Sequence, residues 1–276
     1  MLKIPKSLLV GALFSLALIV PSLGLVPVFA DSGHAPLVQS SGQIVWSTAN
    51  APTLTKSNTW AGYGIVAPNA GVTAIRDSFK QPVIKCNSGS ASEQAVAFLA
   101  GLDGAISADF EIVGTAGICP MGATSPIYGE VASAVMSPVL AIVPGHTYLA
   151  AIVASGGVFH YALKDVTTGM TSKGTSAGPT VVTAAECIVD RAASAGGPLP
   201  LAKFGTVSFG QDYTQVKNTC FATYNGSTKA IGAFSITVVV IQYVMYNTAL
   251  TTVDAATSPL TPDKSSFKVT FVHAGP

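Results

Sequence analysis

Ala184-Ala185-Glu186-Cys187-Ile188-Val189-Asp190-Arg191 sets a carboxylate, Glu186, inside an apolar run with strand character. Only 10% of the chain's residues are charged, against about 25% in an average soluble domain. A carboxylate in such a run therefore needs a reason. It either sits on an outer strand face, paired with Arg191 or Lys203, or it does chemistry.

Outward from Glu186 the same texture continues. The 276 residues are 49% apolar, yet the apolar positions are dispersed among 27 glycines and 17 prolines. Short β-branched runs alternate with turn signals, and no helical period appears outside the first residues. Strands are expected at Asn58–Val66, Val72–Pro82, Gln94–Leu102, Phe110–Thr115 and Ile127–Val135. Hairpins are expected from Pro138–Val143 into Thr147–Ala154 and from Val158–Asp165 into Met170–Thr175. Thr180–Asp190, Leu199–Phe209, Ile231–Tyr246 and Ser266–Val272 complete the set, with Thr248–Asp263 as a loop. Ile231–Tyr246 is too short and too rich in Val, Ile and Tyr for a membrane span, and reads as a buried strand pair. The pattern is that of an all-β sandwich in one domain, 58–276.

Ahead of it, residues 1–30 read as a secretory signal: Lys3 and Lys6, the apolar Leu8–Val20, then Val28-Phe29-Ala30 before Asp31. Residues 31–57 read as a flexible leader or pro-segment. The chain is expected outside the cell, with no membrane attachment after cleavage. A formal net charge of +1 gives no nucleic-acid footprint. Cys86, Cys119, Cys187 and Cys220 form an even set, which in an exported chain implies two disulfides with three possible pairings. Their spacing does not resemble a zinc site. His34, His146, His160 and His273 are scattered, so neither a metal nor a cofactor is expected, and His146 in its Pro-Gly turn reads as exposed. Gly174-Thr175-Ser176-Ala177-Gly178 matches the nucleophile-elbow pattern, but without a following helix it reads as a flexible turn. Asn225-Gly226-Ser227 is a glycosylation sequon in a loop.

Several landmarks occur in order: Asn58-Thr59-Trp60-Ala61-Gly62-Tyr63, Gly101-Leu102-Asp103-Gly104, Tyr128-Gly129-Glu130, Pro144-Gly145-His146, Thr167-Thr168-Gly169, Ala185-Glu186-Cys187-Ile188-Val189-Asp190 and Phe204-Gly205-Thr206-Val207-Ser208-Phe209. With them the chain resembles the G1 glutamic peptidases, also called eqolisins or peptidase A4. The resemblance implies a concanavalin A-like β-sandwich of two antiparallel sheets and a secreted acid endopeptidase acting on polypeptides. It implies Glu186 as the general acid/base that activates water. The family's second residue is a glutamine that donates to the oxyanion. Ile112 stands at its position, and isoleucine has no polar side-chain atom. Glu111 is the alternative polar neighbour, but strand alternation turns it to the other face unless a bulge intervenes. The resemblance further implies a substrate groove with Trp60, Leu99, Asp103, Tyr128 and Glu130. For Asp103 a turn-capping role stands beside the cleft role, and for Glu130 a surface ladder pair with Tyr128 stands beside the cleft wall. Two functions follow: an acid endopeptidase, or an inactive extracellular protein that binds peptide or glycan or assembles at the cell surface.

Overall fold

The structure, a computed structural model, describes residues 51–105, 110–133, 135–194, 196–234 and 237–275. The signal and most of the leader lie outside the described residues. The first strands run in chain order: β1 (Thr53–Ser57), β2 (Trp60–Val66), β3 (Val72–Lys80), β4 (Gln94–Leu102), β5 (Glu111–Cys119), β6 (Ile127–Ala132) and β7 (Val135–Ser137). They continue with β8 (Thr147–Ser155), β9 (Val158–Asp165), β10 (Thr171–Ala177), β11 (Ala184–Asp190) and the small pair β12 (Ala193–Ser194) and β13 (Gly197–Pro198). Last come β14 (Thr206–Phe209), β15 (Phe221–Tyr224), β16 (Ser227–Ala230), β17 (Val239–Tyr246), β18 (Val253–Thr257) and β19 (Phe267–Phe271).

Hydrogen-bonded pairing resolves these into two layers. The first runs β7-β6-β5-β4-β11-β2-β17, with β1 added in parallel on β17. The second runs β10-β9-β8-β3, continues through β14, β19 and β18, and carries the β15–β16 hairpin on β3. The layers join where β17 pairs with β18 at its C-terminal end. The expectation of a two-layer antiparallel sandwich is met, and its driving force is burial of the faces turned inward.

Phe79 is the hub of the interlayer core. Its ring meets Phe98, Tyr148 and Phe209 at centroid distances of 6.0, 6.2 and 5.7 Å. Phe209 in turn stacks on Phe267 at 4.9 Å. The first layer is apolar on its outer face too: Leu99, Ile112, Val131, Ile188 and Tyr243 form a second buried cluster there. β4, β5 and β11 are consequently buried along their whole length, which is why they read as continuous apolar runs rather than alternating ones. In the second layer, β8 and β10 do alternate.

Several local expectations are corrected. Thr53–Ser57, read as the end of the leader, is an edge strand in register with Ile241–Met245. Pro138–Val143 is not a strand; β8 pairs with β3 and β9 instead. The Thr248–Asp263 loop contains β18, which needs both β17 and β19 to exist. Residues Ile231–Ala233 are a 3-10 turn, and the strand starts only at Val239. The nucleophile-elbow look-alike lies mostly within β10. His146 is half-buried, with its Nδ1 2.8 Å from Asp165 Oδ2. Cys86 and Cys119 form a disulfide, but Cys187 and Cys220 are buried free thiols, so one expected bridge is absent. Among the described residues no helix is long and apolar enough to cross a membrane.

One loop is fastened by a carboxylate. Asp263 accepts from Thr261 Oγ1 at 2.7 Å, from the Ser265 amide and hydroxyl at 3.0 and 2.5 Å, and from Gln211 Nε2 at 2.6 Å. Partial burial opposes ionisation, but these donors, Ser265 first, hold the carboxyl at about 2. A depressed value means that its contribution is present above the ordinary carboxylate range and is lost only as pH falls through about 2. In an NMR titration the Asp263 carboxyl is expected to titrate near that value. Titration in the ordinary range would mean that the donor set does not form.

Candidate active site

The site begins with register. Glu186 pairs with Gly64 on one side and Gly101 on the other; Gly64 pairs with Ile241, and Gly101 with Ile112. Paired residues point to the same face of a sheet. One row therefore crosses five strands: Ile241, Gly64, Glu186, Gly101, Ile112. Glycine on both flanks leaves room for the glutamate to lie over the sheet. A Cβ added at Gly101 would stand 2.9 Å from Glu186 Oε2 and 3.6 Å from Ile112 Cγ2. At Gly64 it would stand 3.3 Å from Glu186 Cγ and 3.2 Å from the Tyr243 ring. Glu186 and Ile112 thus face each other over a strand that offers no side chain.

Glu186 is 1% exposed. Its Oε1 accepts the Ala105 amide at 3.0 Å. Its Oε2 has no hydrogen-bond partner among the described residues. Burial pushes the carboxyl up to about 8, against the pull of the Ala105 amide and with a further push from the charge of Asp103. The next row on the same face, Tyr243, Ile188 and Leu99, is apolar and buried. Trp60 packs edge-on against Tyr243 at 5.5 Å and covers the Gly104 turn.

Of the residues singled out in the sequence, Glu186, Ile112, Leu99 and Trp60 come together on this face. Asp103 adjoins it, with a backbone φ of 70°. Its Oδ1 accepts the Thr183 amide and hydroxyl at 2.9 and 2.8 Å, so it does cap a neighbouring segment. Glu111 lies on the opposite face, without a bulge in β5, where Ser133 and Ser176 donate to it. That bond ties β5 to β10 across the sandwich and holds Glu111 away from Glu186. Tyr128 and Glu130 also face inward. They pair with Gly117 and Thr115 on the side of β5 shared with core residues Val113 and Cys119. The Tyr128 hydroxyl accepts the Ile84 amide at 2.8 Å. Glu130 is buried, which raises its carboxyl's pKa. Neither residue shares a surface with Glu186. Tyr243, Ala105 and the two flanking glycines were not singled out. Only the glycines left a signal, as positions suited to close approach.

The fold is a β-sandwich whose central strand carries one buried glutamate, flanked by glycines and facing Ile112. Residues 58–259 match the Peptidase A4 family, and the chain belongs to that family. Among solved structures, scytalido-glutamic peptidase with a transition-state analogue inhibitor is similar at 15% identity and a TM-score of 0.60, covering 78% of this chain and 99% of that one. SCP-B, a member of the eqolisin family of peptidases in complex with the tripeptide Ala-Ile-His, is similar at 16% identity and a TM-score of 0.57, with the same coverage. At that identity the likeness is one of fold. No curated protein matches the chain.

Proposed function

We propose that this chain is an exported, peptide-binding member of the glutamic peptidase family in which hydrolysis is suppressed by the loss of one amide. The observation that carries the reading is Ile112 opposite Glu186 across Gly101. A Glu-activated water attacks a carbonyl only if something holds the water and something receives the oxyanion's charge. Isoleucine does neither. Losing one oxyanion donor costs about 10²–10³ in rate in well-studied hydrolases, and the water ligand goes with it here. The tripeptide bound to the SCP-B relative supports polypeptide as the ligand class. The basic and apolar opening residues, with Val28-Phe29-Ala30 before Asp31, support export. The chemistry calls on no cofactor.

Retention of Glu186, with its Oε1 still bound to the Ala105 amide, favours a second reading: a slow acid endopeptidase. Denatured casein incubated with the purified protein from about pH 2 to 5, beside Glu186→Gln, separates the two. The expected result is no cleavage above the variant's background, with peptide binding retained in both. Cleavage by the wild type that vanishes in Glu186→Gln would overturn the proposal.

A further inference from the structure

Behind Glu186, on the other face of β11, three donor groups converge. Cys187 points into the sandwich because it alternates with Glu186 along the strand. Asp77 reaches it from β3, in line with core residues Ile75 and Phe79. Cys220 comes from the residue preceding β15, which is hydrogen-bonded to β3. The Cys187 Sγ, the Cys220 Sγ and a carboxylate oxygen of Asp77 all lie within 4.8 Å of one another, and each residue is 0% exposed.

Two features are at odds with a plain hydrophobic core at this point. Among the described residues no hydrogen bond of good geometry reaches either oxygen of Asp77, whose polar neighbours are the Ser78 amide and the Cys187 thiol of the cluster itself. A carboxyl group buried with its hydrogen-bonding capacity so poorly met is costly for a core to contain. Cys220 holds a backbone φ of 52°, a left-handed conformation unusual for a residue with a side chain, which turns its thiol into the cluster.

We propose that Asp77, Cys187 and Cys220 form a structural zinc site linking the two sheets. Two thiolates and one carboxylate suit zinc, which takes sulfur, nitrogen and oxygen donors in a tetrahedron. Calcium and magnesium need six or more oxygens and find too few here. The three protein donors leave zinc's fourth position to a small oxygen ligand. The site takes no part in the Glu186 chemistry, being on the opposite face of β11. It anchors that strand to β3 and the β15 segment, and so holds the row containing Glu186 in place. Sequence spacing conceals it because the three donors are far apart in the chain and none forms a ligand pair with a neighbour.

The test uses the purified full domain with its Cys86–Cys119 disulfide intact. After incubation with zinc and removal of the excess, metal analysis is expected to find one zinc per chain, with a higher melting temperature than the chelator-treated protein. Asp77→Asn and Cys220→Ser should each reduce the bound zinc to background. Should either variant fail to fold, cobalt(II) substitution of the wild type decides. Thiolate-to-cobalt charge transfer with tetrahedral ligand-field bands is expected, and their absence overturns the proposal. So does a metal-free protein with two countable thiols, or peptide mapping that finds Cys187 joined to Cys220 as a disulfide.

Discussion

Ile112→Gln is expected to lift cleavage of denatured casein at least about 10²–10³-fold above the wild-type background, the worth of the oxyanion donor alone. The position is favourable. Ile112 is 3% exposed and faces the Glu186 carboxyl across Gly101, where no side chain stands between them. Glutamine is one heavy atom longer than isoleucine along its main axis, and the missing Cβ at Gly101 leaves that length somewhere to go. Its amide would reach toward Oε2, the Glu186 oxygen left without a partner among the described residues. Ile112→Leu changes shape without adding a donor and should remain inert. Adding Glu186→Gln to the active variant should abolish the gain. A folded Ile112→Gln protein that cleaves no faster than wild type would overturn the reading that this one exchange suppresses hydrolysis.

Asp254→Ala is expected to destabilise the fold by about 3–5 kcal/mol, the cost of leaving one member of a buried ion pair alone. Arg191 follows β11 directly, and its guanidinium is fully buried against the Asp254 carboxylate of β18. Without Asp254 its hydrogen bonds among the described residues are those to the Asn58 carbonyl at 3.2 Å and the Tyr246 carbonyl at 3.4 Å. The Asp254 backbone carbonyl also receives the amides of Val272 and His273, so this residue fastens the C-terminal segment beside β11. Urea unfolding at neutral pH measures the loss. Replacing both partners by apolar residues, Arg191→Met with Asp254→Leu, should cost much less, because no charge is then left unpaired. A loss below about 1 kcal/mol for Asp254→Ala would mean that the pair behaves like an exposed one.

How the site came to be readable differs from residue to residue. Glu186 stood out because a carboxylate in an apolar strand is rare in a chain so poor in charge. Ile112 stood out only against the family pattern, as an apolar residue at the position where the resemblance implies an amide. Asp77 carried the same signal as Glu186, a carboxylate alternating with Ile75 and Phe79, yet nothing in the family pattern drew attention to it. Tyr128 and Glu130 were correctly read as sharing a face, but that face is the interior.

Local chemistry therefore determined the class of fold, most strand positions from Trp60 to Phe271, and the glutamate. Each of these depends on residue type and on a two-residue alternation, and both are visible along the chain. Pairing between distant strands decided the rest. It made Thr53–Ser57 a strand by giving it an edge to join. It set Tyr128 and Glu130 away from Glu186. It brought Asp77, Cys187 and Cys220 into one cluster. Alternation says which residues share a face, but β4, β5 and β11 are buried on both faces, so hydrophobicity along them does not say which face is which. Only the register Glu186–Gly101–Ile112, closed across three strands, settles what the glutamate sees.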